Sequence, residues 1–342
     1  MTEIPPLRWG ILGTARIVRR NWQGMRNSGA AELVAIASRD LEKAQSFING
    51  LQAEFPWPHP PTAFGSYESL IASPEVDAIY IPLPTGVRKE WVIRAAEAGK
   101  HVLCEKPCAV SAAELQEMIS ACARHGVLFM DGVMFMHDPR YQKLRHILDD
   151  GTSVGAIRRI TSAFSYRAGD DFAGNDIRSQ VELEPTGCLG DLGWYCLRAT
   201  LWAMNWEMPR RVSGRVLDGG TSIMDFSAEL DFSGGVTAAF HCSFLAPKQM
   251  WFNVSGSEGY VRVPDFISPV ADNDTDWELN YKREPRAADP GVGSEALMFA
   301  RFAAEVAGGA GNSPWAEISM KTQVLLDACE RSARTGLPEF LE

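Results

Sequence analysis

The sequence predicts an α/β domain of the Rossmann type followed by an α+β domain with a large, mostly antiparallel open sheet. Three observations carry this expectation. The chain has 342 residues, about twice the usual domain size, so two domains are expected. From residue 7 to about 130, short β-type runs alternate with helical segments, the pattern of a parallel sheet wrapped by crossover helices. After about residue 135 the runs lengthen and alternate apolar with polar side chains, as in an antiparallel sheet covered on one face. The first domain is therefore placed at 1–130 and the second at 131–342.

The first-half strands read Leu7–Leu12, Leu33–Ala37, Thr62–Phe64, Ala78–Ile81, His101–Cys104 and Val127–Met130. Between them, apolar residues recur at helical spacing: Ile17, Val18, Trp22 and Met25, then Leu41, Ala44, Phe47, Ile48 and Leu51, then Trp91, Val92, Ala95 and Ala96. Gly99 is placed to cap the third of these helices. Ser111 and Glu114 open a fourth as a capping box. In the second half the expected strands are Ile157–Arg167, Ile223–Phe232, Val236–Phe244 and Met250–Ser255, with turns at Gly234-Gly235 and Ser257-Glu258-Gly259. Residues 270–293, rich in Asp, Asn, Pro and Gly, read as a mobile loop. Ser294–Val306 and Ile318–Ala333 read as the last helices.

Composition narrows the function. Lys and Arg number 33 against 43 Asp and Glu, a formal charge of −10, which argues against nucleic acid or an anionic membrane surface as the main partner. The hydrophobic fraction is 46% and the mean hydropathy −0.12, ordinary for a globular chain that binds small molecules. No segment reaches about 18 consecutive apolar residues and the opening MTEIPPLRWGILG has no basic stretch before an apolar run, so a cytoplasmic protein is expected. The seven cysteines contain no C-x-x-C pair and no histidine at metal spacing. They are expected to be reduced and mostly buried, with no metal site.

Between the first strand and first helix lies Gly10-Ile-Leu-Gly13-Thr14-Ala15-Arg16-Ile17-Val18, where a dinucleotide fold places its pyrophosphate loop. Gly13 fills the tight-turn position, while Ala15 and Val18 stand where the fingerprint usually has glycine. A plain strand-to-helix turn is the competing reading. The second strand ends at Ser38-Arg39, where an acidic residue would accept the ribose 2′-hydroxyl of NAD. A hydroxyl beside a guanidinium suits the 2′-phosphate of NADP instead, unless Arg39 is solvated surface and Asp40 only caps the next helix. NADP is the expected cofactor, with NAD as the alternative.

Two motifs carry candidate chemistry. The strand His101–Cys104 runs into Glu105-Lys106-Pro107, placing a lysine at the carboxyl end of a parallel strand, where open α/β sheets bind ligands. Gly187-Cys188-Leu189-Gly190-Asp191-Leu192-Gly193-Trp194-Tyr195 sets Asp191 and Tyr195 four apart, on one face of a helix. The competing readings are a solvated surface lysine at Lys106, and an Asp191 that only caps its helix while Tyr195 packs.

With these motifs the sequence resembles the Gfo/Idh/MocA oxidoreductases over nearly its whole length. The resemblance rests on Gly10-Ile-Leu-Gly13, on Val76-Asp77-Ala78 with Pro82-Leu83-Pro84-Thr85, on the run from Gly99 to Pro107, and on Gly190 to Tyr195. It implies that Lys106 lies beside the nicotinamide and the reacting oxygen, that Glu105, Pro82, Leu83 and Pro84 border the cofactor, and that Asp191 and Tyr195 complete the site. The tyrosine form resembles glucose-fructose oxidoreductase and the dihydrodiol and xylose dehydrogenases. The chain departs from the family where Asn and His often follow the fourth strand's proline, here Thr85 and Arg88. Asp131 replaces a glutamate near the sixth strand, and Thr186-Gly187 a Gly-Gly pair. Arg178 resembles a position that can face substrate, with a surface salt bridge as the alternative. His137, beside Asp138-Pro139, is a rival substrate contact.

The resemblance implies an NADP-dependent enzyme that moves a hydride between nicotinamide and a sugar, cyclitol or diol. Lys106, Tyr195 as general base and Asp191 as orienting group are its expected catalytic set. It also implies a homodimer or homotetramer built through the second domain's sheet. Two other readings stay open at this stage: a sugar sensor without turnover, and a redox-neutral enzyme that retains its cofactor.

Overall fold

A computed structural model describes residues 5–169, 172, 176–220, 222–268, 275–285 and 292–341. The described residues form two compact units. The first draws on 1–109, 113–138 and 291–319, and the second on 110–112, 139–290 and 320–342.

The first unit is built on a six-stranded sheet: β1 Leu7–Leu12, β2 Ala31–Ala37, β3 Thr62–Phe64, β4 Ala78–Ile81, β5 His101–Cys104 and β6 Phe129–Asp131. Its order is β3-β2-β1-β4-β5-β6 and every pairing is parallel. β4 is buried at every position, as a strand covered on both faces must be. The helices are α1 Val18–Ser28, α2 Leu41–Glu54, α3 Tyr67–Ile71, α4 Thr85–Glu97 and α5 Ala112–Arg124. α1 buries Val18, Trp22 and Met25 and ends at Gly29 with φ 66°, a left-handed position that glycine adopts without penalty.

Registers align the strand ends that carry the site. Leu12 lies opposite Ala37, Ile81 opposite Cys104, and Cys104 opposite Asp131. The next residues along each strand, Gly13, Ser38, Pro82, Glu105 and Gly132, therefore leave the sheet at one edge, the carboxyl edge where ligands of such folds bind.

The second unit begins with α6 Arg140–Asp149 and carries a nine-stranded sheet: β7 Ile157–Ser165, β8 Arg211–Gly219, β9 Ile223–Asp231, β10 Thr237–Ser243, β11 Gln249–Gly256, β12 Tyr260–Pro264, β13 Thr275–Leu279, β14 Lys282–Pro285 and β15 Glu339–Phe340. The order is β14-β13-β12-β11-β7-β10-β9-β8-β15. All pairs are antiparallel except β7 with β10. Phe226, Ala228 and Leu230 of β9 alternate with exposed or half-buried neighbours and pair with Cys242, Phe240 and Ala238 of β10. α7, Trp194–Ala203, is buried at every residue, so it is a core helix rather than an amphipathic cover.

The expected mobile loop at 270–293 is partly corrected. Trp277 is buried, and it anchors β13 so that 275–279 and 282–285 pair as a hairpin. Residues 270–274 and 286–291 of that stretch lie outside the described residues. Beyond it, α8 Ser294–Ala307 belongs to the first unit, packing Phe299 and Phe302 on Trp9 of β1 at centroid distances of 5.0 and 4.7 Å. Gly24 of α1 allows this approach, since a Cβ there would lie 2.7 Å from Glu295 Cβ. The final helix is α9, Trp315–Thr335. No helix among the described residues is long and apolar enough to cross a membrane. All seven cysteines are buried and unbridged.

Candidate active site

Gly13 turns the chain out of β1 with φ 98°, and its amide donates to Ala37 O at 2.8 Å. A Cβ at Gly13 would lie 3.1 Å from Leu83 Cδ2 and 3.7 Å from Tyr67 Oη, so the turn needs glycine for conformation and for room. Among the described residues, the amides of Thr14, Ala15, Arg16 and Ile17 donate to no backbone carbonyl. Thr14 and Ala15 are half-buried, and Arg16 and Ile17 exposed. Four amides with no backbone acceptor at the start of a helix suit an anionic diphosphate, so the residues present fit a dinucleotide.

Ser38 is buried and Arg39 exposed. Asp40 caps α2, accepting from the amides of Glu42 and Lys43 at 2.9 and 3.2 Å. The cap occupies Asp40 and leaves Arg39 beside Tyr67: burial raises the Tyr67 phenol, and the Arg39 charge pulls it back down. Tyr67, which sequence reasoning passed over, thus borders both the Gly13 turn and Arg39. Its only sequence signal was the Ser66 cap of α3.

At the neighbouring strand ends, Pro84 opens α4 and Leu83 is buried against the Gly13 turn. Glu105 is buried, and burial pushes its carboxyl upward against the pull of Lys106, Tyr80 and Arg88. Tyr80 Oη donates to Glu105 Oε1 at 2.6 Å, and the Lys106 amide donates to Oε2 at 3.1 Å. Lys106 follows, half-buried, and joins Pro107 through a cis peptide. His137 lies in the same unit and packs on Trp315 at a centroid distance of 4.6 Å.

In the second unit the Asp191 motif does not begin as an α-helix. Leu189–Gly193 is one π-helical turn running into α7, a form found mostly as single turns at functional sites. Asp191 is half-buried, and Arg178 Nε donates to its Oδ2 at 2.8 Å. Arg178 Nη1 reaches Asp176 Oδ1 at 3.2 Å, and Ser222 Oγ donates to Arg178 O at 2.9 Å. The guanidinium is held above its ordinary value chiefly by Asp191, against desolvation, with Tyr166 and Asp176 adding to the pull. Tyr195 is buried and meets Phe164 edge-on at 5.7 Å. Of the two readings of Arg178, this geometry supplies an ion pair, made to the motif's own aspartate.

A parallel sheet in this strand order, with a glycine turn and open amides at its carboxyl edge, defines a dinucleotide-binding enzyme fold. Residues 7–133 match the family model described as oxidoreductase family, NAD-binding Rossmann fold, and residues 141–262 match the Gfo/Idh/MocA C-terminal domain. The chain belongs to the Gfo/Idh/MocA family of oxidoreductases. It is 31% identical over 334 residues to D-xylose 1-dehydrogenase (NADP(+)) 2 of Haloferax volcanii, covering 96% of this chain and 98% of that one. It is 29% identical over 297 residues to trans-1,2-dihydrobenzene-1,2-diol dehydrogenase of Xenopus laevis, covering 84% and 85%. Among solved structures, a 3-ketoreductase from Actinomadura kijaniata in complex with NADP and TDP-benzene superposes with a TM-score of 0.83 at 26% identity, covering 96% of this chain and 98% of that one.

Proposed function

We propose that the chain is an NADP-dependent oxidoreductase that moves a hydride between the nicotinamide and a secondary alcohol or hemiacetal carbon of a sugar, cyclitol or diol. The observation that carries this reading is the seat of Lys106, which leaves the carboxyl end of β5 beside the loops from Gly13 and Pro82. The named relatives, which include an NADP-linked xylose dehydrogenase and a diol dehydrogenase, support it. Gly13, Thr14, Ala15, Arg16 and Ile17 hold the diphosphate, while Gly10, inside β1 and packed against Leu70, only shapes the strand before it; Ser38 with Arg39 takes the 2′-phosphate through a charge-assisted contact. Pro82, Leu83, Pro84, Glu105 and Lys106 border the nicotinamide end.

The bound dinucleotide supplies the hydride acceptor or donor. Lys106 places an ammonium on the reacting oxygen and favours its anionic form. Tyr195 takes the hydroxyl proton, and Asp191, which accepts a hydrogen bond from Arg178, orients the hydroxyls. Arg178 acts through Asp191, and His137 in this reading packs on Trp315 instead of meeting substrate. The residues 1–130 serve the cofactor and 131–342 the substrate. Self-association of a cytoplasmic enzyme, as a dimer or tetramer, uses a face of the nine-stranded sheet.

Lys106→Met tests the reading. Cofactor affinity by calorimetry stays near that of the unmodified chain, while turnover falls severely. Retained turnover would return Lys106 to an ordinary surface lysine.

A further inference from the structure

Arg88 is one of the two positions at which the chain departs from the family pattern after β4. Its side chain is 3% exposed, on the first turn of α4. Nη1 donates to Glu105 O at 2.7 Å and also to Pro107 O. Nε donates to Leu83 O at 3.0 Å. One guanidinium therefore fastens the carbonyls on both sides of Lys106 and ties them to the loop after β4. A buried cation is costly unless its donors are used, and here they are used on the main chain around one residue.

A second chain of bonds reaches Lys106 from the other side. Its amide donates to Glu105 Oε2 at 3.1 Å, Tyr80 Oη donates to Oε1 at 2.6 Å, and Asn21 Nδ2 donates to Tyr80 Oη at 2.6 Å. Burial keeps the Tyr80 phenol well above its ordinary value, so it remains a proton donor to the carboxyl. Gly132 leaves the space, since a Cβ there would lie 3.1 Å from Glu105 Oε1.

We infer that Arg88 and the Asn21–Tyr80–Glu105 chain are positioning residues that set the direction in which Lys106 presents its amine. The inference rests on the reading of Lys106 as the group that meets the reacting oxygen. The amide of Lys106 and both flanking carbonyls are thereby pinned. A displacement of about 1 Å at such a group costs about 100-fold in rate, which is the purpose a buried clamp on three carbonyls serves.

The test reads Lys106 without needing the substrate. The lysines are reductively methylated with isotopically labelled formaldehyde, and the Lys106 dimethylamine resonance is identified by its loss in Lys106→Arg. Arg88→Met and Tyr80→Phe are then compared with the unmodified chain. The Lys106 resonance moves and broadens in both, the other lysine signals stay in place, and cofactor affinity changes little. Where turnover is read, kcat falls about 100-fold with KM little changed. Tyr80→Phe removes a single oxygen, so it reports even if Arg88→Met fails to fold. An unmoved Lys106 signal in folded Tyr80→Phe overturns the chain from Asn21, and the same result in folded Arg88→Met overturns the clamp. If the signal moves while Lys106→Met keeps full turnover, the positioning stands and the catalytic reading of Lys106 fails.

Discussion

Replacing Arg178 by Met removes the cation from Asp191 while keeping much of the side-chain volume. Arg178 Nε lies 2.8 Å from Asp191 Oδ2, with side-chain exposures of 37% and 15%. Breaking a fully buried pair costs about 3–5 kcal/mol, and an exposed pair is worth about 0–1 kcal/mol. With one partner more than a third open, solvent screening discounts the first figure, leaving about 1–2 kcal/mol. The sign with pH follows from the charge. Asp191 and Arg178 attract each other most strongly among the charges around that guanidinium, so the pair contributes while the carboxylate is ionised and is lost as acid protonates it. Urea unfolding of both proteins from neutral to acid pH measures this. The difference between them is greatest near neutrality and shrinks as acid protonates the carboxylate. A difference that stays constant with pH would refute the charge argument and leave only packing.

Arg39→Ala should lower NADP affinity by about 10- to 100-fold, the worth of a charge-assisted contact, and leave NAD affinity nearly unchanged by calorimetry. Tyr195→Phe keeps the edge-on contact with Phe164 and removes the proton acceptor, so turnover drops while cofactor binding and the unfolding midpoint persist. Gly24→Ala gains about 1 kcal/mol of helix propensity. Its Cβ meets Glu295 at 2.7 Å, and overpacking costs about 1–3 kcal/mol, so the net effect in a denaturant titration is destabilising. Burial pushes the Asp77 carboxyl upward, but its bonds to Arg8 outweigh this and hold it below the ordinary range. That stabilisation is present above the ordinary carboxylate pKa and lost as pH falls, so Arg8→Met should flatten the acid limb of thermal stability.

Much of this architecture was legible because buried parallel strands are continuous apolar runs. Leu7–Leu12, Thr62–Phe64, Ala78–Ile81 and His101–Cys104 have the bounds expected of them. β8 was missed because most of it is exposed, with Val216 and Leu217 outward among Arg215, Asp218 and Gly219 instead of alternating with buried positions. The β13 and β14 hairpin was hidden by the Asp and Asn around it, which signal loops when Trp277 is not known to be buried. At the site, Lys106 and Asp191 stood out through local motifs. The bonds of Arg88 did not, since its acceptors are main-chain carbonyls of Leu83, Glu105 and Pro107 that no side-chain pattern records. The Tyr80 bond to Glu105 spans 25 residues, and such pairings follow from the strand register that juxtaposes β4 and β5. The π-helical turn before α7 had no signal in the spacing, because residues four apart share a face in the expected helix as well.

The central claim is hydride transfer between a nicotinamide dinucleotide and a sugar, cyclitol or diol through Lys106. Its most direct test is a screen of aldoses, polyols and diols with NADP and with NAD, read by the absorbance of the reduced nicotinamide, for the unmodified chain and Lys106→Met side by side. The account predicts reduction of NADP by at least one member of these classes, a slower rate with NAD, and near-complete loss in Lys106→Met. Cofactor binding without turnover of any of them, or turnover that survives Lys106→Met, would contradict it.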